Sequence, residues 1–237
     1  MMRLDKLLAN SGFGTRKEVK KTLKKGGVTV DGIVAKDGKM HVDPDEQEVK
    51  VFGVEVEYKP YIYLMMNKPD GLLSATEDIN QETVIDILEP EDVRYEPFPV
   101  GRLDKDTTGL LLITNDGKFA HQLTSPKRHV PKKYRAWLAE PLKDGDIEAF
   151  QQGIELDDGY VTKPAELCSE NENGDVVEVT IYEGKYHQVK RMFAARRNRV
   201  VRLKREAMGS LQLDEDLEPG EYRDLTEEEY EMLKAEA

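Results

Sequence analysis

The stretch VGRLDKDTTGLLLITNDG, Val100 to Gly117, sets the reading of this chain. Its second half, LLLIT at Leu110–Thr114, is a continuous apolar run of strand length, as expected for a fully buried strand. Its first half places Asp104 and Asp106 in a loop at the mouth of that strand, flanked by Arg102 and glycines. A carboxylate held there beside a cation is a candidate nucleophile or general base. Asp-Lys-Asp-Thr is also an ordinary turn, so the pair alone assigns no chemistry.

Short strands and helices alternate on both sides of this stretch. Upstream, Tyr61 to Met66 reads as an apolar strand that stops at Asn67-Lys68-Pro69, and Thr83 to Leu88 as a short helix bounded by Pro90. Downstream, Gly117 to Thr124 reads as a helix, Tyr134 to Ala139 as a strand and Val176 to Tyr182 as an alternating strand. His187 to Arg197 follows as a helix and Val200 to Arg205 as a strand. Thr226 caps a final acidic helix, with Glu229 at its third position. Regular βαβ units are missing from this order, so an α+β domain with a mixed, largely antiparallel sheet and flanking helices is expected.

Glu57 to Tyr61 reads as a linker, which gives two domains, 1–58 and 59–237. In the first, Leu4, Leu7 and Leu8 recur at helical spacing between Arg3 and Asn10. Thr15 and Glu18 form a capping box for a second helix, which Gly26-Gly27 ends. VTVDGIVA then reads as a hairpin turned at Asp31-Gly32, followed by a turn at Asp37-Gly38 and the strand VKVFG.

The 237 residues carry a net charge of −12, which at first argues against a polyanionic partner. The distribution argues for one. Residues 1–39 hold ten Lys/Arg against four Asp/Glu, and residues 127–135 and 185–205 hold five and nine basic residues with no acid. Residues 207–237 hold eleven acids against two bases. Such segregation by sign is the footprint of basic surfaces that face nucleic acid. Within those runs, Tyr134 follows Lys132-Lys133, so its ring can stack on a base while its neighbours hold phosphates. Lys190 and Arg191 sit in a helix where a cation could pair with Asp104 and keep it ionised.

No run of eighteen apolar residues occurs, and MMRLDKLLANSG lacks the apolar stretch of a secretory signal. The lone Cys168 cannot form an internal disulfide, there is no CxxC, and four histidines make a structural zinc improbable. The reading is a reduced cytoplasmic protein, expected to be monomeric, with no membrane span and no metal.

RLDKLLANSGFGTRKEVKKTLKKGGVTVDG, from Arg3, resembles the S-four-type RNA-binding domain. That resemblance implies that Arg3, Lys6, Arg16, Lys17, Lys20, Lys21 and Lys24 face RNA. GRLDKDTTGLLLITNDG, NKPDGLLSAT (Asn67–Thr76) and EGKYHQVKRMF (Glu183–Phe193) together resemble the RsuA-type ribosomal RNA pseudouridine synthase family over nearly the whole chain. Tyr134 lies thirty residues after Asp104, and Lys190 fifty-six after Tyr134, which fits that family too. The resemblance implies an Asp nucleophile at Asp104, a base-contacting Tyr134, and Lys190 as the basic partner of the aspartate, with Arg191 second for that place. Arg102, Arg191, Lys68, His187 and Gln188 are the implied substrate contacts. It further implies isomerisation of a specific uridine in ribosomal RNA, small-subunit before large-subunit, with no cofactor. The partner is ribosomal RNA or an assembling subunit.

Two rivals remain at this level. Asp104-Lys-Asp106-Thr-Thr108 fits the DxDxT nucleophile motif of magnesium-dependent phosphatases, although there the apolar strand should precede the motif rather than follow it. A non-catalytic RNA-binding or ribosome-assembly factor would use the same basic runs, but binding alone does not require a carboxylate amid cations.

Overall fold

The computed structural model describes residues 1–236, which divide into two compact units. The first comprises residues 1–62 with 89–96, and the second residues 63–88 with 97–236. No helix among the described residues is long and apolar enough to cross a membrane.

The first unit begins with β1 (Met2–Arg3), α1 (Leu4–Asn10) and α2 (Arg16–Lys24). The expected capping box starts α2: the Thr15 amide donates to Glu18 at 2.8 Å and the Glu18 amide to the Thr15 hydroxyl at 3.3 Å. β2 (Val28–Val30) and β3 (Ile33–Val34) form the hairpin, and both turn residues, Asp31 and Gly32, adopt positive φ, as a tight primed turn requires. β4 (His41–Val42), β5 (Val49–Val51) and β6 (Val54–Glu55) follow. Leu4, Leu7 and Leu8 of α1 pack with Val19 and Leu23 of α2 and with Val28, Val42, Val49 and Val51 in one apolar core. That burial turns Lys6, Arg16, Lys17, Lys20, Lys21 and Lys24 outward, where all are exposed. Arg3 is exposed too, but its guanidinium is held by Asp5 at 2.5 Å. The later segment contributes α3 (Pro90–Val93), which opens with the proline at its first turn.

The second unit is built on a nine-stranded sheet. Its strands are β7 (Tyr63–Lys68), β8 (Phe98–Pro99), β9 (Thr107–Thr114), β10 (Lys132–Leu138), β11 (Glu166–Ser169), β12 (Val176–Ile181), β13 (Val200–Met208), β14 (Leu211–Gln212) and β15 (Tyr222–Asp224). The order is β11-β12-β10-β13-β9-β7-β15, with β14 on β13 and β8 on β9. Every pairing is antiparallel except that of β9 with β13. Helices α4 (Gly117–Thr124), α5 (Asp146–Gln152), α6 (Gln188–Ala195) and α7 (Glu227–Glu236) complete the expected α+β unit. Thr226 and Glu229 form the expected capping box of α7.

Several elements depart from the sequence reading. Thr83–Leu88 is not a helix but two successive tight turns, closed by Asp86 N to Thr83 O and Leu88 N to Ile85 O. Asp86 there accepts from both the amide and the hydroxyl of Thr83, a local bond that competes with helix. β7 starts at Tyr63 rather than Tyr61 and runs through Asn67 and Lys68, which pair with Leu110 and Gly109. The helix read from His187 starts at Gln188, because His187 itself is left-handed (φ 48°). α5 has no counterpart in the sequence reading.

Candidate active site

The loop between β8 and β9 carries Asp104, and three anchors fix it from below. The Ser74 hydroxyl donates to Leu103 O at 3.0 Å and accepts from Leu103 N at 3.1 Å. Gly71 N donates to Lys105 O at 3.0 Å. Lys68, fully buried, aims its ammonium at the carbonyls of Pro69, Lys105 and Thr107 at 3.0, 3.0 and 3.1 Å. The NKPDGLLSAT segment is therefore the cradle of the aspartate loop. Gly109 lies where β9 meets β13 in parallel; its φ is +98°, and a Cβ there would come within 2.2 Å of Arg205 O. Only glycine permits that approach.

Above the loop, α6 brings in the basic partner. Lys190 Nζ donates to Asp104 Oδ2 at 2.9 Å and to Asp106 Oδ1 at 2.6 Å. Burial pulls the Lys190 ammonium down, but the hydrogen bonds to Asp106 and Asp104 outweigh it and hold the group above its ordinary value. Asp106 is held below the usual carboxylate range, chiefly by its hydrogen bond to Lys190. His187 Nε2 lies 3.4 Å from Asp104 Oδ1. Asp104, Arg102, Tyr134, His187 and Lys185 share the lining of one cleft of about 80 Å³. Tyr134 comes from β10, opposite Arg205 of β13, and is largely buried.

Other residues singled out in the sequence lie elsewhere. Lys68 is not on the cleft wall; it works underneath it. Arg191 turns away to Asp157 and Asp158, so it is Lys190 that meets Asp104. Gln188 borders the cleft, but its amide is engaged at both ends: Lys185 N donates to its oxygen at 2.9 Å, and its nitrogen donates to Glu183 at 3.0 Å. Glu183, also buried, accepts in addition from the Tyr160 hydroxyl at 2.7 Å and Lys163 N at 2.9 Å. Sequence reasoning missed Ser74 and Glu183. The spacing of Glu183 and Gln188 around a glycine-containing loop was the available signal for the latter.

The same sheet holds further cations without carboxylate partners among the described residues. Burial pulls Lys68 down to about 8, against the opposing pull of Asp70, Asp106 and Asp104. Lys132 is likewise pulled down to about 8 by burial and then by Arg205, and its ammonium donates to Val130 O at 2.8 Å. Arg205 is buried, donates through Nε to Leu110 O at 2.8 Å, and has one terminal nitrogen without a partner among the described residues. A lysine that titrates near 8 when folded and near its ordinary value when unfolded releases its proton from the folded chain first. Between those two values the unfolded chain binds more protons, so stability gains from these groups as pH rises. Lys132→Met removes one of them. The variant's Tm relative to wild type is expected to fall as pH is raised from 7 to 10; a constant offset in thermal melts would refute the shift at Lys132.

A paired aspartate, a tyrosine and cations around one cleft of an α+β sheet, in a chain that also carries a unit with a lysine-rich helix, suit an enzyme that acts on RNA. Residues 62–195 match the family model described as RNA pseudouridylate synthase, and residues 2–47 match that of the S4 domain. The chain is 58% identical to an uncharacterised RNA pseudouridine synthase of Bacillus subtilis, YtzG, over 98% of both chains. It is 48% identical to ribosomal small subunit pseudouridine synthase A of Vibrio cholerae, over 96% of this chain and 97% of that one. A crystal structure of a pseudouridylate synthase superimposes with a TM-score of 0.69 at 38% identity, covering 98% of this chain and all of that one. The chain belongs to the RNA pseudouridylate synthase family; it is an RsuA-type RNA pseudouridine synthase with an N-terminal S4 domain.

Proposed function

We propose that this enzyme converts one uridine of small-subunit ribosomal RNA to pseudouridine, with Asp104 as the nucleophile. The bond between ribose C1′ and uracil N1 breaks, the base turns, and C1′ bonds to C5; the C5 proton is lost and N1 gains one. Nothing is oxidised and no group leaves, so the residues need only stabilise charge and hold the base. Asp104 faces the electron-poor sugar or takes a proton from it, and Lys190 supports its negative charge. Tyr134 lies against the base, Arg102 and His187 border the space into which the uridine is turned out, and Lys68 and Gln188 act from below as positioning residues. Asp104, paired with Lys190 and lining one cleft with Tyr134, is the observation that carries this reading. The small-subunit target rests on the name of the Vibrio cholerae relative.

Residues 1–58 in this reading dock RNA and do no chemistry, and 59–237 catalyse, as a cytoplasmic monomer on ribosomal RNA or an assembling subunit. The exposed lysines of α2 neutralise phosphates without reading sequence. Replacing Lys17, Lys20, Lys21 and Lys24 by glutamine is expected to weaken RNA binding. Each phosphate that is no longer neutralised should flatten the slope of log K against log salt by about 0.7–0.9. Unchanged affinity and slope would remove the first unit as an RNA anchor.

Mapping pseudouridine in both ribosomal RNAs, with and without the protein, tests the target. A single uridine in the small-subunit RNA should depend on it. Dependence confined to the large-subunit RNA would move the target, and no dependent position in either would overturn the ribosomal assignment.

A further inference from the structure

We propose that Tyr186, stacked on His187, forms a platform for a nucleobase that flanks the target uridine. This deepens the reading of the cleft as an RNA site and rests on it. The two rings lie nearly parallel, with centroids 3.8 Å apart and planes 18° from each other. The inner ring belongs to the active site: His187 borders the cleft and its Nε2 lies 3.4 Å from Asp104 Oδ1. The outer ring belongs to Tyr186, a residue 75% exposed. The stack therefore starts beside Asp104 and ends in solvent.

The loop under the stack is held in place before any ligand arrives. Gln188 and Glu183, both buried, bridge its two ends through Lys185 N and each other, and Tyr160 and Lys163 fasten Glu183 from outside the loop. Arg191 Nη1 donates to Tyr186 O at 3.3 Å. His187 stands at a left-handed φ of 48°, a conformation that costs a non-glycine residue and here turns its ring to the aspartate. An exposed aromatic on an ordered loop offers a π-face at little ordering cost, which suits stacking of a base whatever its sequence. When a uridine leaves its stack, its neighbour loses a stacking partner; a ring at the rim of the cleft replaces it.

The test uses the full chain and the ribosomal RNA fragment that the wild type modifies, with 2-aminopurine placed in turn on either side of the target uridine. Tyr186→Ala should raise KM about tenfold while kcat is kept, as expected when one base stack is removed. The 2-aminopurine fluorescence quenched by wild type on one side should stay unquenched. Tyr186→Phe, which retains the ring, should behave as wild type. A KM within twofold of wild type, or a fall in kcat alone, would overturn the platform; so would quenching that persists in the alanine variant. Failure of the wild type itself to form pseudouridine in any ribosomal fragment would instead strike the assignment of the substrate.

Discussion

Asp104→Asn should lower pseudouridine formation by about 10³-fold or more, the scale seen when a reacting group is removed, while folding and RNA affinity stay near wild type. The amide occupies the same space but carries no charge to offer the sugar. Lys190 keeps a partner after the change, because Asp106 Oδ1 lies 2.6 Å from its ammonium, so no buried cation is stranded. The matched substitution is Asp106→Asn. That side chain is 70% exposed and shares Lys190 without lining the cleft. Its loss should leave activity within about tenfold, since an exposed ion pair contributes little. Residual activity of Asp104→Asn above a tenth of wild type, measured by release of tritium from C5-labelled RNA, would transfer the nucleophile elsewhere.

Lys68→Met is expected to damage the protein more than any surface change, through stability and through the site together. The methionine keeps the apolar stem but takes the ammonium donor from the carbonyls of Pro69 and Thr107, and leaves that of Lys105 with Gly71 N alone. An unmet buried polar group costs about 1–3 kcal/mol, so the loss should reach about 3 kcal/mol or more. Lys105 and Thr107 flank the aspartate loop, so the surviving folded fraction should also show reduced kcat. Urea unfolding with single-turnover rates separates the two effects. A variant as stable as wild type would show that the ammonium is dispensable to the loop.

Lys68 and Lys190, set side by side, show what the sequence makes legible. Lys190 is legible because its place, on a helix free of acidic neighbours, matches a need for charge near Asp104. Lys68 is read as a substrate contact only through the family resemblance of its segment; its three acceptors come from residues 69, 105 and 107, and the pairing of β7 with β9 helps bring them together. Local signals fare well: both capping boxes, the Asp31-Gly32 turn and the start and end of α4 lie where the residues place them. Non-local ones do not. α5 has Gly145 at its N-cap in a left-handed conformation and no side-chain cap, so the usual start signal is missing. β9 begins at Thr107, three residues before its apolar run, because β13 pairs with its polar end.

The N-terminal unit is assembled from two separate stretches of chain, residues 1–62 and 89–96. Arg94, from the second stretch, lies against Gly12 of the first so closely that a Cβ on Gly12 would come within 2.3 Å of its Nη1. A protease that cut the irregular 57–61 segment would thus sever the backbone without freeing an intact unit. The fragment carrying α1 and α2 would remain clasped by eight residues of the other fragment. The RNA-docking part is not a cassette that can be cut out and grafted at that point; a transplant must carry the 89–96 clasp with it.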